Sequence, residues 1–372
     1  MSADAAWFGR PNVFEIDLGV VAANTRRLRR QLGAQTHFIA TLKSHAYGYG
    51  VLPAARTVLA AGADALSMSN LDEAILLREA GIDVPILVYA GIPLDRDVVQ
   101  AFQSYGLMPS LHDEEAIAAF MRWSTRRSPV AVKIEVGAER LGLLAEQAVQ
   151  PIAELARHPN ADLRLVHCHP NFRAVDGDSA SLRWQFSRFT SLLAQLKAAG
   201  IEIPLRAMAS SKVLQKSGTD MLLNAVDPGA ALFAADDSGQ YPLRSLSTRL
   251  IQARAVVRNQ YLDEAVFPIR PGMRLGVIPI GYSDGFAHLH CGSVLVRGQR
   301  AAIVSAPSLE YSRIDLTDIA QAEVGDEVII IGSQQGATIT PQEVMQHQHA
   351  ARTQDLVLFI GNSIRRVYRA ES

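Results

Sequence analysis

Short apolar runs alternate with amphipathic stretches over the first two-thirds of the chain. The first run, 13–18, is followed by a basic stretch with helical periodicity through 24–31. Eight further runs have the length and apolar character of buried strands, and segments with a helical pattern separate several of them: 38–42, 65–68, 85–89, 107–111, 130–135, 163–168, 206–209 and 225–227. Strands alternating with helices of two to four turns are typical of parallel βαβ units. Eight of them favour a (β/α)8 TIM barrel over an open doubly wound sheet, and we expect this α/β domain to span 12–240.

The pattern changes after about Gln240. Runs at 277–280, 293–296, 302–304, 312–316 and 327–331 are short, closely spaced and separated by glycine-containing turns. Such spacing predicts a C-terminal, mostly antiparallel β domain over 241–372, on which residues 1–11 are expected to pack. The chain lacks a Gly-x-Gly-x-x-Gly motif after its first strand, which argues against a dinucleotide-binding fold.

Composition narrows the class of protein. A chain of 372 residues suits two domains, and 48% hydrophobic with 20% charged residues is ordinary for a globular protein. A formal net charge of −1 gives no reason to expect nucleic acid or an anionic membrane as a partner. The two cysteines, Cys168 and Cys291, have no metal-ligand spacing, and neither a signal peptide nor a membrane-spanning run is present. We therefore expect a cytoplasmic protein.

Lys43 is the first candidate for chemistry, because it directly follows the apolar run 38–42 and precedes the Tyr-Gly turns of 44–50. In a barrel, functional side chains collect at the C-terminal ends of the strands. A lysine that is partly desolvated there has a lowered pKa and a free lone pair, so it can form a Schiff base. The alternative is a lysine that simply solvates the end of a strand.

The segment Lys43–Gly50 resembles the cofactor-anchoring segment of the alanine racemase family, the fold-type III enzymes that use pyridoxal 5'-phosphate (PLP), where the pattern is roughly Lys-Ala-Asn-Ala-Tyr-Gly-His-Gly. Further segments match in the order of the family and cover most of the chain. The resemblance implies PLP as the cofactor, Lys43 as its anchor and an amino acid as the substrate. It also implies an isomerase that interconverts L- and D-amino acids.

The segment 132–142 resembles the family's Lys-x-Asp-Thr-Gly-Met-x-Arg-Leu-Gly. By this match Arg140 contacts the phenolate oxygen of PLP and helps to bind the substrate carboxylate, a role that suits the planar fork of a guanidinium. Lys133 corresponds to a lysine that is carbamylated in many members and orients that arginine. The residues alone leave open a surface ion pair of Arg140 with Glu135 or Glu139.

Other matches concern the PLP ring and its phosphate. His169 corresponds to a histidine that lies against the ring. The phosphate is implied to be held by Tyr47, Ser210, Ser211, Gly229 and Ala230, and Asn362 stands where the family has a phosphate-binding tyrosine. His167 and His169 point to the same side of a strand, but neither is flanked in sequence by a carboxylate or a third ligand, so we expect no metal.

The segment 279–286 of the second domain resembles the family's Ile-Gly-Tyr-Ala-Asp-Gly. The implied role of Tyr282 and Asp284 is to line the active site of a partner subunit in a head-to-tail homodimer. Leu309 and Glu310 replace a Met-Asp pair that shapes the substrate pocket, so the resemblance does not fix the substrate, and a larger or polar side chain is plausible.

Two departures concern the catalytic positions. Asp227 aligns with an arginine that faces the pyridine nitrogen of PLP. An arginine keeps that nitrogen unprotonated, whereas a carboxylate holds it protonated and makes PLP a stronger electron sink. Tyr261 is the only tyrosine near the position of the family's second base, and aligning it requires a shift of two residues.

These features support three hypotheses. The first is a racemase in which Lys43 and Tyr261 exchange the α-proton on opposite faces of the substrate. The second, favoured by Asp227, is decarboxylation, aldol cleavage or side-chain elimination on the same scaffold. The third is a PLP-binding protein with weakened catalysis.

Overall fold

The computed structural model describes residues 9–89, 91–170, 179–217, 220–257 and 269–369. The chain forms two compact units. The barrel unit contains Val21–Ala46 and Gly50–Phe233, and the β unit contains the chain up to Val20, Tyr47–Tyr49 and the chain from Ala234 onward. The predicted division between residues 240 and 241 stays a prediction.

The strands in chain order are β1 (Val13–Asp17), β2 (His37–Thr41), β3 (Ala65–Met68), β4 (Ile86–Val88), β5 (Met108–Leu111), β6 (Ser128–Glu135), β7 (Leu143–Leu144), β8 (Ala161–Cys168), β9 (Leu205–Ala209), β10 (Ala225–Val226), β11 (Leu243–Arg249), β12 (Gln252–Ala255), β13 (Arg274–Ile278), β14 (Ser293–Val296), β15 (Gln299–Ala302), β16 (Ser312–Asp315), β17 (Glu327–Gln334), β18 (Ala337–Ile339) and β19 (Arg365–Arg369).

The helical segments are α1 (Leu18–Leu32), α2 (Lys43–Tyr47, a left-handed turn), α3 (Val51–Ala60), α4 (Leu71–Glu79), α5 (Arg96–Ser104), α6 (Glu114–Trp123), α7 (Val149–Arg157), α8 (Ser179–Ala198), α9 (Ser211–Ser217), α10 (Pro341–His347) and α11 (Thr353–Val357). None of the described helices is both long enough and apolar enough to cross a membrane.

Eight parallel strands close the barrel in the order β2, β3, β4, β5, β6, β8, β9, β10. The closing pair aligns Ala225 of β10 with His37 of β2, and Val226 with Phe38. All eight runs expected from the sequence are present, so the predicted (β/α)8 barrel is confirmed. A cluster of buried side chains includes at least one from every barrel strand: Ile39, Ala65, Leu87, Tyr89, Met108, Ala131, Leu165, Ala207 and Ala225. The barrel interior is therefore packed.

Helix starts after β3, β4 and β5 are fixed by side-chain caps. Asn70 accepts a hydrogen bond from the N–H of Asp72, and Asp95 and Asp113 do the same for residues three positions along. Each cap satisfies an N–H that the first helical turn leaves unpaired. The caps thus define where the chain reverses at the C-terminal ends of these strands.

The β unit contains a sheet with the order β15-β14-β17-β11-β1-β19, with β18 on β17, and a three-stranded sheet β12-β13-β16. The pairs are antiparallel except for β1 with β19, which confirms the expected mostly antiparallel domain. Strand β1, expected within the barrel domain, lies in this sheet. Only Phe14 and Ile16 of β1 are buried, and this alternation suits a sheet with one covered face, whereas the barrel strands are almost continuously buried.

Asp284 lies at the centre of a buried polar cluster of the β unit. Arg10 donates two hydrogen bonds of 2.8 Å to its carboxylate, Ser363 donates one of 2.7 Å and the N–H of Gly281 donates one of 2.9 Å. Its side chain is 0% exposed and these partners belong to the same unit, and the expected part of Asp284 in lining the pocket of a partner subunit stays a prediction.

The turn next to Asp284 requires glycine at position 281. A Cβ on Gly281 would stand 2.3 Å from the carbonyl oxygens of both Ser308 and Leu309, so no other residue fits. Tyr282, Leu309 and Glu310, by contrast, are exposed.

We expect Arg10→Met to lower the free energy of unfolding by about 2–4 kcal/mol, because it leaves the buried carboxylate of Asp284 without its counter-charge. Urea unfolding of the purified variant measures this. Arg300→Met is the matched control, because Arg300 also donates two hydrogen bonds to a carboxylate, that of Glu343. This pair is exposed, so its loss should lower the free energy of unfolding by less than about 1 kcal/mol. Equal effects of the two substitutions would contradict a structural role for Asp284.

Candidate active site

Titratable side chains from five barrel strands meet at one end of the barrel. Lys43 follows β2, Tyr89 follows β4, Lys133 lies near the end of β6, His169 follows β8 and Asp227 follows β10. Carboxyl ends of parallel strands meet at the same rim, so barrel closure brings together residues far apart in the sequence.

Lys43 is followed by a strained backbone segment. Residues 44–47 all have positive φ, between 51° and 56°, and none is glycine. Left-handed backbone costs about 1 kcal/mol or more for each such residue. The segment is held by hydrogen bonds from the N–H of Ala46 to the carbonyl of Leu42 (3.3 Å) and from the N–H of His45 to Glu73 (3.0 Å). Strain retained beside a half-buried amine is characteristic of a functional site.

Asp227 is the hub of the site. Its Oδ2 accepts a hydrogen bond from the hydroxyl of Tyr89 (2.8 Å) and lies 2.7 Å from Nε2 of His169. Burial alone would raise the pKa of Asp227, but His169, Tyr89 and Lys43 outweigh burial and the net pKa is lowered, so the group is a carboxylate. Its Oδ1 is buried and has no partner among the described residues.

His169 links this carboxylate to Lys133, whose Nζ lies 2.8 Å from Nδ1 of the ring. Burial lowers the pKa of His169 below its ordinary value despite the nearby Asp227, so the ring is neutral and carries one proton. A carboxylate must receive that proton at Nε2, and Nδ1 therefore accepts from Lys133. The hydrogen bonds are thus donated in one direction, from Lys133 to His169 and from His169 to Asp227.

The pKa values of both lysines of the site lie below the ordinary value for lysine. Burial, Lys43 and Arg140 together lower the pKa of Lys133 to about 8, and Asp227 partly opposes them. Burial also lowers the pKa of Lys43, Asp227 opposes this and Arg140 reinforces it. The Nζ of Lys43 stands 4.0 Å from the ring centroid of Tyr89. A larger neutral fraction is what a nucleophilic lysine requires.

Arg140 has an exposed guanidinium with no ion pair or hydrogen bond within the described ranges of the chain. The carboxylate of Glu135 instead accepts from the backbone N–H groups of Gly137, Ala138 and Arg140 itself. The surface ion pair with Glu135 or Glu139 does not form, and the loop leaves Arg140 available to an anion.

Ser211 organises the loop after β10. Its Oγ accepts hydrogen bonds from the N–H groups of Gly229 (3.0 Å) and Ala231 (3.1 Å). The phosphate contacts expected of Ser210, Ser211, Gly229 and Ala230 stay predictions, and that of Gly229 requires its N–H to turn from Ser211.

Three further predicted residues are not part of the barrel unit's described residues. Tyr47 and Asn362 belong to the β unit, and their cofactor roles stay predictions. Tyr261 lies outside the described residues.

The site also has the donor atoms of a metal centre, since ligand atoms of His167, His169 and Asp227 lie within 4.8 Å of one another. The third member escaped sequence analysis because it comes from another strand. Both nitrogens of His169 are already engaged, and the amines of Lys43 and Lys133 oppose a cation there. We keep the expectation that the site holds no metal.

Tyr89 is the residue that sequence reasoning missed. It ends the apolar run 85–89, and its position at the C-terminal end of a barrel strand was the available signal. The run was interpreted only as an apolar strand, so the hydroxyl of Tyr89, which faces Asp227, was not considered.

Known proteins resemble the chain along its length. Residues 16–237 match the family description "Alanine racemase, N-terminal domain", and residues 244–368 match "Alanine racemase, C-terminal domain". Alanine racemase of Thermodesulfovibrio yellowstonii is 31% identical over 369 residues, which cover 96% of this chain and 97% of that protein. The crystal structure of alanine racemase from Bacillus anthracis has a TM-score of 0.85 at 23% identity and covers 98% of this chain and 96% of its own. The crystal structure of alanine racemase from E. faecalis has a TM-score of 0.81 at 25% identity and covers 97% of this chain and 98% of its own.

The pKa of Lys133 predicts a pH-dependent stability of the apoprotein. Its folded-state pKa of about 8 lies below the ordinary 10.5, so between these values the unfolded chain binds one more proton than the folded one. The free energy of unfolding should therefore rise with pH in this window, by up to about 1.4 kcal/mol per unit. Below pH 8 the amine is protonated in both states, and the full cost of burying its charge opposes folding.

Urea unfolding between pH 7.5 and 9.5 measures this slope. Lys133→Met should flatten it relative to the parent protein, whereas Lys212→Met, at an exposed lysine of α9, should leave it unchanged. An unchanged slope in Lys133→Met would show that Lys133 is not a desolvated amine.

Proposed function

The chain belongs to the alanine racemase family, and on that premise we propose that it interconverts the L and D forms of an amino acid with PLP attached to Lys43. The family resemblance found in the sequence is thereby confirmed. The observation that carries the assignment to this site is the half-buried Lys43 amine, with a lowered pKa, beside an ionised Asp227 whose Oδ1 has no partner among the described residues.

The residues of the site fit PLP. Buried acceptors are rarely left unpaired, and Oδ1 of Asp227, which has no partner among the described residues, would accept from a protonated pyridine nitrogen. Arg140 offers free donors to the phenolate oxygen and to a substrate carboxylate. Bound PLP supplies an electron sink that makes the α-proton of an attached amino acid acidic.

The protein's own contribution is positioning and proton transfer. The lowered pKa of Lys43 gives its Nζ a lone pair that can take up the α-proton on one face and return it. Tyr261 is the proposed group for the opposite face. Asp227 would hold the ring nitrogen of PLP with its negative charge, and the burial of Asp227 excludes water from that charge.

A second candidate function rests on the same carboxylate. An ionised Asp227 favours a protonated ring, and this benefits decarboxylation, aldol cleavage or elimination more than racemisation needs. The two candidates differ in product: racemisation conserves mass and abolishes optical rotation, whereas the others change the mass.

Lys43→Ala should abolish both the visible absorbance of bound PLP and turnover, because no other predicted residue supplies the attachment amine. The purified protein is incubated with single L-amino acids, and optical rotation and product mass are followed together. Lys212→Ala is the control and should keep both. A borohydride-reducible chromophore that survives in Lys43→Ala would refute the anchor. Loss of rotation without a mass change supports the racemase, and a changed mass supports the second candidate.

We also propose that the working form is a head-to-tail homodimer. Tyr282, Leu309 and Tyr311 are 57%, 54% and 48% exposed, and Phe359 is 48% exposed on the same unit. Backbone hydrogen bonds of Tyr282 and Ser283 to 308–309 keep the first two segments together. Large exposed side chains grouped in this way mark an interaction surface.

Mixing inactive Lys43→Ala with an inactive Tyr282→Ala variant should restore part of the activity, because a hybrid dimer contains one intact site. Activity of the mixture is compared with each variant alone, and sedimentation gives the mass of the species. A fully active monomer would refute the dimer.

A further inference from the structure

Tyr89 is buried at the C-terminal end of the barrel strands and contacts both Asp227 and Lys43. The residue is only 7% exposed. The hydroxyl lies 2.8 Å from Oδ2 of Asp227 and 3.4 Å from Oγ1 of Thr41. The ring centroid lies 4.0 Å from Nζ of Lys43 and 5.2 Å from the ring of His169, which meets it edge-on.

We propose that Tyr89 is a positioning residue, whose hydroxyl fixes the carboxylate of Asp227 toward the PLP ring and whose aromatic face holds the amine of Lys43. The proposal rests on the proposed function, because it names the group that prepares this site for PLP. No role for this position follows from the motifs that the sequence shares with the family.

The hydroxyl decides which oxygen of Asp227 is available. Oδ2 is engaged by Tyr89 and by His169, and Oδ1 is engaged by no described residue. The backbone carbonyl of Asp227 accepts a further hydrogen bond of 2.9 Å from Thr41. The residue is thus held at its carboxylate and at its backbone, so that a single acceptor atom remains for a ligand.

Tyr89 is a donor over the whole neutral pH range. Burial and the charge of Asp227 raise its pKa well above the ordinary value, so the O–H stays protonated. A hydrogen bond from a neutral hydroxyl to a carboxylate is charge-assisted and stronger than one between neutral groups. Phenylalanine or leucine would fill similar apolar space without this bond.

The aromatic face acts on Lys43. A ring face attracts an ammonium, which favours the charged amine. Asp227 also favours it, whereas burial, Arg140 and the coupled amine of Lys133 oppose it. Tyr89 is therefore one of the groups that set the balance between charged and neutral Lys43.

A double-mutant cycle tests the hydroxyl. Tyr89→Phe keeps the ring and should weaken PLP binding about tenfold, as the loss of one charge-assisted bond implies. In an Asp227→Ala background the same change should have no effect, because the bond is already gone. The dissociation constant of PLP is measured by equilibrium dialysis of the full-length protein. Tyr105→Phe is the matched control: it breaks a 3.2 Å bond between a tyrosine and Glu79 elsewhere and should leave the constant unchanged.

The role of the Tyr89 ring is tested without cofactor. Competitive acetylation of the lysines of the apoprotein, followed by mass spectrometry, gives the pKa of Lys43. Tyr89→Leu should lower the pKa of Lys43 by about half to one unit relative to Tyr89→Phe, because only leucine removes the aromatic face.

Equal weakening of PLP binding in both backgrounds, or none in either, would overturn the role of the hydroxyl, and equal pKa values of Lys43 in the two Tyr89 variants would overturn that of the ring. A parent protein that takes up no PLP refutes the proposed function instead, and the acetylation experiment then still decides the part played by the ring.

Discussion

The site depends on one buried negative charge. Asp227 is 4% exposed yet ionised, and a carboxylate so far from water is stable only with strong donors or cations around it. Tyr89, His169 and Lys43 supply them. Residue 227 follows the two-residue strand β10, which pairs with β2 and β9, so the carboxylate is brought to its partners by the closure of the barrel itself. Without the pairing of Ala225 with His37, neither Lys43 nor Tyr89 would stand beside it.

The same charge gives direction to the polar network. Because Asp227 accepts from His169, the neutral ring must present an acceptor to Lys133, and the amine that donates there is desolvated and has a pKa of about 8. Lys43 and Arg140 add further positive charge nearby. The single carboxylate of Asp227 does not balance these groups, and the surplus suits a ligand with several negative charges, as the proposed PLP and an amino-acid carboxylate would together provide.

The sequence predicted the eight barrel strands because each is a buried apolar run whose signal is local. It also placed Lys43, Lys133, His169 and Asp227 correctly at strand ends, since barrel topology brings those ends together. Features set by distant pairing were less accessible. The sheet of β1 depends on β11 and β19, which are more than 200 residues away, and the burial of Asp284 depends on Arg10. The left-handed turn at 44–47 was missed because Ser, His, Ala and Tyr have no local preference for positive φ.

Asp227 stands where the family pattern has an arginine, and the residues around it are suited to the aspartate. An arginine at this position would place a third fixed or partial cation against Lys43 and Lys133, with no carboxylate to oppose them, and it would offer a donor to His169 in place of an acceptor. The ring of His169 would then have to reverse its proton, and its Nδ1 could no longer accept from Lys133. The hydroxyl of Tyr89 would lose its charged acceptor as well. Tyr89, His169 and Lys133 are thus arranged for an anion at residue 227. The departure from the family pattern is Asp227, and the surrounding network supports its charge, which bears on how strongly the site would withdraw electrons from the proposed PLP ring.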